Sequence, residues 1–166
     1  VAQSIIPKIV KNVRKPALFI DRDGTIIEDK GYVCGKNLTF KEKSIELMKK
    51  AKEKGMLVII VTNQAGVAKG KFTEEDSLST TEFIMDYLKK FNIFVDAYYY
   101  CPYHPEGIIE KYKKNSLLRK PEPGMILKAC EDFRIDLMNS VMVGDNENTD
   151  RINLFGLSSK IIGDFQ

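Results

Sequence analysis

Tryptophan is absent from this 166-residue chain, histidine occurs once and cysteine three times. The single histidine, His104, follows Tyr103 rather than an arginine, which argues against a phosphohistidine mechanism. Cys34, Cys101 and Cys130 are odd in number and widely spaced. They predict no disulfide framework and point to a reducing compartment, the cytoplasm. None is followed by arginine at the spacing of a thiol-based phosphatase. A Gly-x-Ser-x-Gly elbow is missing, which removes one serine hydrolase class. Gly66 and Gly70-Lys71 fall one residue short of a P-loop, and Phe72 stands where its hydroxyl residue belongs. No apolar run approaches the roughly 18 residues that span a bilayer. Residues 1–15 lack the basic start and apolar stretch of a signal peptide and read as an extension to a single domain over 16–166. An excess of one charge is missing too. The net charge is +3, and the lysines scatter over what read as helix faces, so no nucleic-acid partner is expected.

What is present is an alternation of apolar runs and helical patterns. Ala17–Ile20, Leu57–Val61, Phe94–Tyr100, Ser140–Val143 and Lys160–Ile162 read as strands. Ser44–Lys54 reads as a helix with Ile45, Leu47, Met48 and Ala51 on one face and Gly55 ending it. Thr73 caps a second helix with an acidic first turn that runs to about Phe91. A third covers Pro123–Phe133, and a short one lies around Ile152–Leu154. Such alternation predicts an α/β fold, a mostly parallel central sheet between helical layers.

Polar residues mark the strand ends. Asp21, Thr62, Cys101 and Gly144-Asp145 each fall where a predicted strand finishes, the edge at which open α/β sheets bind ligands. Asp21 and Asp23 are two residues apart on an emerging strand end, so one carboxylate can attack while the other moves a proton. Attack on a phosphate dianion meets a repulsion of about 8 kcal/mol near contact at an intermediate dielectric. Cations must offset that. Asp21, a backbone carbonyl at Asp23 and Asp145 suit an oxygen-ligated Mg²⁺. Lys120 supplies a mobile positive charge, and Thr62 with nearby backbone N–H groups can bind the equatorial oxygens.

Asp21-Arg22-Asp23-Gly24-Thr25, Thr62, Lys120 and Gly144-Asp145 with a downstream acid resemble, in order, the four motifs of the haloacid dehalogenase (HAD) superfamily of phosphohydrolases. The resemblance spans nearly all of 16–166 and implies a three-layer, Rossmann-like HAD fold. Gly31-Tyr32-Val33, Thr62–Gly66, Gly70–Glu74, Tyr99–Pro102 and Arg119-Lys120-Pro121 narrow it to the heptose-bisphosphate phosphatases, with histidinol-phosphate phosphatase as a relative. It implies Asp21 as nucleophile, Asp23 as acid and base, and Thr62 and Lys120 on the phosphate. Asp21, Asp23 and Asp145 would hold Mg²⁺. Asp29, Gly31, Tyr32, Asn63, Gln64 and Arg119 would face the sugar.

Two departures stand out. That group carries a zinc loop with a Cys-x-His and a Cys-x-Cys. Here Cys101 is kept, Tyr103 replaces the histidine, and Ser116 and Leu118 replace the paired cysteines. With His104 as the one other ligand, no structural zinc is expected, and Tyr100, Tyr103 and Tyr112 are left to hold the loop. The last motif, Gly144 to Asp150, is one residue longer than usual, so either Asp150 or Glu147 is its second acid, and Asn146 stands where a substrate-binding lysine is common. No segment is long enough for a cap domain. The expectation is a monomeric, capless, Mg²⁺-dependent phosphatase acting on the 7-phosphate of a heptose 1,7-bisphosphate. Histidinol phosphate is the alternative substrate, and a non-catalytic phosphate-binding regulator the alternative class.

Overall fold

The computed structural model describes residues 13–162, so most of the N-terminal extension lies outside the described residues. Five parallel strands form one sheet: β1 (Ala17–Ile20), β2 (Leu57–Asn63), β3 (Ala97–Cys101), β4 (Val141–Gly144) and β5 (Ser158–Ile161), in the order β3-β2-β1-β4-β5. Four helices connect them: α1 (Glu42–Glu53), α2 (Ala65–Ala68), α3 (Glu74–Leu88) and α4 (Gly124–Asp132). This is the three-layer α/β arrangement that the alternation of strands and helices predicted. No described helix is long and apolar enough to cross a membrane.

The central strands β1, β2 and β4 are apolar on both faces because both are covered. Leu18, Ile20, Val58, Ile60 and Val143 pack against Ile45 and Met48 of α1 and Ile84 and Leu88 of α3. The alternate residues Ala17, Phe19, Ile59, Val61 and Met142 pack against Met125, Ile126 and Ala129 of α4. Helix α3 begins in a reciprocal cap: Thr73 Oγ1 accepts from Asp76 N–H, and Asp76 Oδ2 accepts from Thr73 N–H. Gly55 follows α1 with φ +77°, a conformation that ends a helix without strain only for glycine.

Several boundaries differ from the sequence reading. β2 runs on to Asn63 and β3 to Cys101, because Thr62 pairs with Tyr100 and Asn63 with Cys101. Thr62 and Cys101 are therefore strand residues, not residues past the strand. Residues 94–96 do not join β3; the Asp96 carboxylate instead accepts from Val58 N–H and pairs with Lys52. Residues 152–154 form no helix. Two of their N–H groups go elsewhere, Ile152 N–H donating to Ser159 Oγ and Asn153 N–H to Pro121 O. The second contact ties the segment before β5 to the loop carrying Lys120.

The strand order fixes the site. β1 leads through α1 to β2 on one side, while the chain crosses from β3 through α4 to β4 on the other. The crevice beyond the ends of β1 and β4 is therefore the switch point of the sheet.

Candidate active site

Asp21 leaves β1 with its N–H still bonded to Val143 O of β4 at 2.9 Å, which holds its carboxylate over the switch point. The chain then turns sharply, as Arg22 O accepts from Thr25, Ile26 and Ile27 N–H and Gly24 adopts φ +87°. A Cβ on Gly24 would lie 2.2 Å from Asp145 Oδ2, so only glycine lets the β4 carboxylate close on the β1 loop. Thr25 Oγ1 bridges the two sides, 3.4 Å from Asp21 Oδ2 and 3.3 Å from Asp145 Oδ1.

Lys120 is not the mobile cation expected from sequence. Its side chain is 2% exposed, and Nζ donates to Asp21 Oδ1 at 2.8 Å and to Asp150 Oδ1 at 2.6 Å. Burial alone would pull the lysine toward neutrality, but the adjoining Asp21 and Asp150 charges win, and its pKa is raised. Burial pushes the Asp21 carboxyl well above the usual range; Asp150 adds to that and Lys120 opposes it. One ammonium between two buried carboxylates, with the exposed Asp145 beside them, leaves excess negative charge at one point.

Asp150 is the second acid of the last motif by placement. It is buried, and Oδ2 accepts from the N–H groups of Asp145 and Asn146 at 3.1 and 3.0 Å. Glu147 points away and pairs with Arg151 on the surface. Asp21, Asp145 and Asp150 each bring a carboxylate oxygen within 4.8 Å of the others. Carboxylate oxygens at this spacing are the donor set of a hard divalent cation.

Asp23 belongs to a second network. Both its oxygens are held, Oδ1 by Arg22 Nε at 2.7 Å and Oδ2 by Arg22 Nη2 and Gln64 Nε2, each at 3.1 Å. Gln64 also donates to Thr62 Oγ1 at 2.7 Å. Arg22 and Thr25 were not singled out from the sequence. A single arginine between two aspartates gives no local sign of burial, and its partners lie up to 59 residues away.

The cleft measures ≈ 450 Å³ and is lined by Asp21, Asp23, Asp29, Gly31, Tyr32, Asn63, Gln64, Arg119, Lys120 and Asp145, with Phe72, Asn146 and Thr149 at its edges. Ten of the sequence-predicted residues thus meet in one place, and Thr62 sits directly behind Gln64. Asn63 has a further task. Its amide brackets the Lys120 backbone, Nδ2 donating to Lys120 O at 3.1 Å and Oδ1 accepting from Lys120 N–H at 2.9 Å. Tyr32, at φ +48°, stands exposed at the rim with Lys69 and Lys71 5.8 and 5.5 Å from its ring centre. Asp29 Oδ1 accepts from Gly31 N–H and shapes that turn.

The loop between β3 and Lys120 is tied to α3 through Glu74. Tyr100 Oη donates to Glu74 Oε1 at 2.5 Å and Tyr112 Oη to Oε2 at 2.7 Å. Tyr103 lies 6.2 Å from the Tyr112 ring, with Lys114 Nζ 4.2 Å above it. Cys101 is buried with its thiol against Tyr103 O, while His104 Nδ1 accepts from Glu106 N–H.

Comparison with known proteins gives these residues a family. Residues 16–166 match the family described as polynucleotide kinase 3 phosphatase. The D-glycero-β-D-manno-heptose-1,7-bisphosphate 7-phosphatase of Escherichia coli K12 is 44% identical over 131 residues, 78% of this chain and 69% of that protein. A HAD-like phosphatase from Mesorhizobium loti is 32% identical at a TM-score of 0.78, over 82% of this chain and 66% of that one. The fold is also that of D,D-heptose 1,7-bisphosphate phosphatase from B. bronchiseptica, whose crystal structure holds magnesium and phosphate. There the TM-score is 0.68 at 24% identity, covering 80% and 72% of the two chains. With its motifs gathered at the β1/β4 switch point, this chain belongs to the HAD phosphatases, in the family that includes the heptose-1,7-bisphosphate 7-phosphatases.

Proposed function

We propose that this chain hydrolyses the 7-phosphate of a D-glycero-D-manno-heptose 1,7-bisphosphate through an aspartyl-phosphate on Asp21. The observation that carries the reading is the buried Asp21–Lys120–Asp150 cluster opening onto the same cleft as Asp23 and Asp145, in a chain 44% identical to a phosphatase named for that substrate.

The chemistry follows from the side chains. An Asp21 oxygen attacks phosphorus, the P–O bond to the sugar breaks, and the departing oxygen takes its electron pair and a proton from Asp23. Water then gives a proton to Asp23 and attacks the phosphoryl group. The Asp21–phosphate bond breaks, and the carboxylate is restored with release of phosphate. Lys120 faces the developing charge, and Thr62, whose oxygen already accepts from Gln64, can give its own hydrogen to an equatorial oxygen. Asp29, Gly31, Tyr32, Gln64 and Arg119 border the space left for the sugar. Asn63 acts on Lys120 by holding its backbone.

The donor set fits Mg²⁺. Asp21, Asp145 and the Asp23 carbonyl would hold it, with Asp150 keeping Lys120 and the β4 turn in place. The excess negative charge and the Gly24 gap that admits Asp145 both favour a cation there. A bound cation would neutralise charge on the phosphate and so lower the repulsion met by Asp21. Zinc is not part of the reading, since Glu74 and two tyrosines hold the loop.

The test is phosphate release with Mg²⁺ from both anomers of the heptose bisphosphate, beside histidinol phosphate and a 3′-phosphorylated oligonucleotide. Fast release from one heptose anomer, lost in Asp21→Asn, is the expected result. Equal slow turnover of every ester would discard the heptose assignment, and full activity in Asp21→Asn would discard the nucleophile.

A further inference from the structure

Arg22 is the largest fully buried side chain among the described residues, with no solvent exposure, and every nitrogen of its guanidinium is used. Nε and Nη2 form a fork on the two Asp23 oxygens at 2.7 and 3.1 Å. Nη1 donates into α3, to Thr81 Oγ1 at 3.1 Å and Ser77 O at 3.3 Å. Nη2 also reaches Val33 O at 3.1 Å and Gln64 Oε1 at 3.0 Å. A planar fork of this kind sets both the position and the plane of the carboxylate it binds, which a lysine cannot do.

We propose that Arg22 is a positioning residue for proton transfer: it aims the Asp23 carboxylate at the leaving oxygen and links that aim to helix α3 and to the sugar-facing loop through Val33. This rests on the phosphatase reading and deepens it. Arg22 touches neither substrate nor the reacting atoms; it acts through Asp23. The link to Val33 matters because the segment just before it, Asp29 to Tyr32, borders the cleft. Movement of that loop by a bound sugar reaches the acid through one guanidinium. The other Asp23 partner, Gln64, is held by the same Nη2, so Arg22 governs both contacts on Oδ2.

Leaving-group chemistry separates this role from a purely structural one. A sugar alkoxide cannot leave without the Asp23 proton, whereas nitrophenolate can. In Arg22→Lys, turnover of the heptose bisphosphate should fall about 100-fold, the scale of a misaimed catalytic group. Release of nitrophenolate from p-nitrophenyl phosphate in the first turnover should stay within about threefold of wild type. Because the hydrolytic water also needs Asp23, the variant should show a burst near one equivalent of nitrophenolate, followed by slow steady turnover. Thr81→Val, which loosens only the far end of the guanidinium, should show the same selectivity at roughly three- to tenfold. It serves as the readout where Arg22→Lys does not fold. Equal losses on both esters, or no burst and no selectivity in the folded variants, would overturn the role. Wild-type protein that turns over neither ester would overturn the phosphatase reading itself, and this one with it.

Discussion

At the residue scale the site is governed by who neutralises whom. Among the described residues Lys120 is the one cation paired with Asp21 and Asp150, and all three are buried. Removing one partner from such a set leaves uncompensated charge in a low dielectric, a loss of about 3–5 kcal/mol. Lys120→Met is therefore expected to unfold at markedly lower urea and to lose phosphate release. A midpoint equal to wild type would contradict the burial. Gly24→Ala is expected to fold poorly or to displace Asp145, since φ is +87° and the new methyl would meet that carboxylate. Its loss of activity should exceed its loss of stability. The types and spacing of Asp21, Asp23, Lys120 and Asp145 were readable in the chain, because phosphoryl transfer demands those groups. The choice of Asp150 over Glu147 was not. Both are acids in one turn, and only the direction of the chain after Gly144 decides which one faces Lys120.

At the scale of elements, the loop from β3 to Lys120 hangs on helix α3 by one carboxylate. Hydrogen bonds from Tyr100 and then Tyr112 hold Glu74 below the usual glutamate range, and burial opposes them only in part. A depressed carboxyl contributes stability that is complete above the ordinary glutamate range and lost as pH falls through its folded value. Proteolysis or hydrogen exchange across residues 103–118 should therefore quicken as pH drops below that range. Glu74→Gln should loosen the loop by about 1 kcal/mol at neutral pH and erase the acid dependence. The same acid-induced loosening in the variant would assign it to another group. Thr73→Ala, which removes the cap just before Glu74, should lower stability by about 1 kcal/mol in thermal melts. The Thr73 cap was legible from its acidic first turn. The Glu74 clamp was not, because its partners lie 26 and 38 residues away on other elements.

At the scale of the whole molecule, the sheet order places three carboxylates at one switch point with one lysine between them. A divalent cation bound there stabilises the folded state by mass action, about 2.7 kcal/mol at a hundredfold excess over its dissociation constant. Mg²⁺ is expected to raise the melting temperature, EDTA to reverse the rise, and Asp145→Asn to remove most of it while leaving the metal-free melt nearly unchanged. An unaltered Mg²⁺ effect in that variant would place the cation elsewhere. Among the described residues no inserted domain covers the cleft, so short loops bound the sugar side.

The chain alone settled the alternation of strands and helices and marked the residues that gather at the switch point. Apolar periodicity and chemical type are local, and both survive without knowledge of the neighbours. The folded arrangement alone decided the order β3-β2-β1-β4-β5, the extension of β2 to Asn63, the burial of Lys120 and the fork of Arg22 on Asp23. Each of these depends on a partner distant in sequence. Charge pairing and strand pairing are energies of proximity, and proximity between residues 21, 120 and 150 exists only once the sheet has formed.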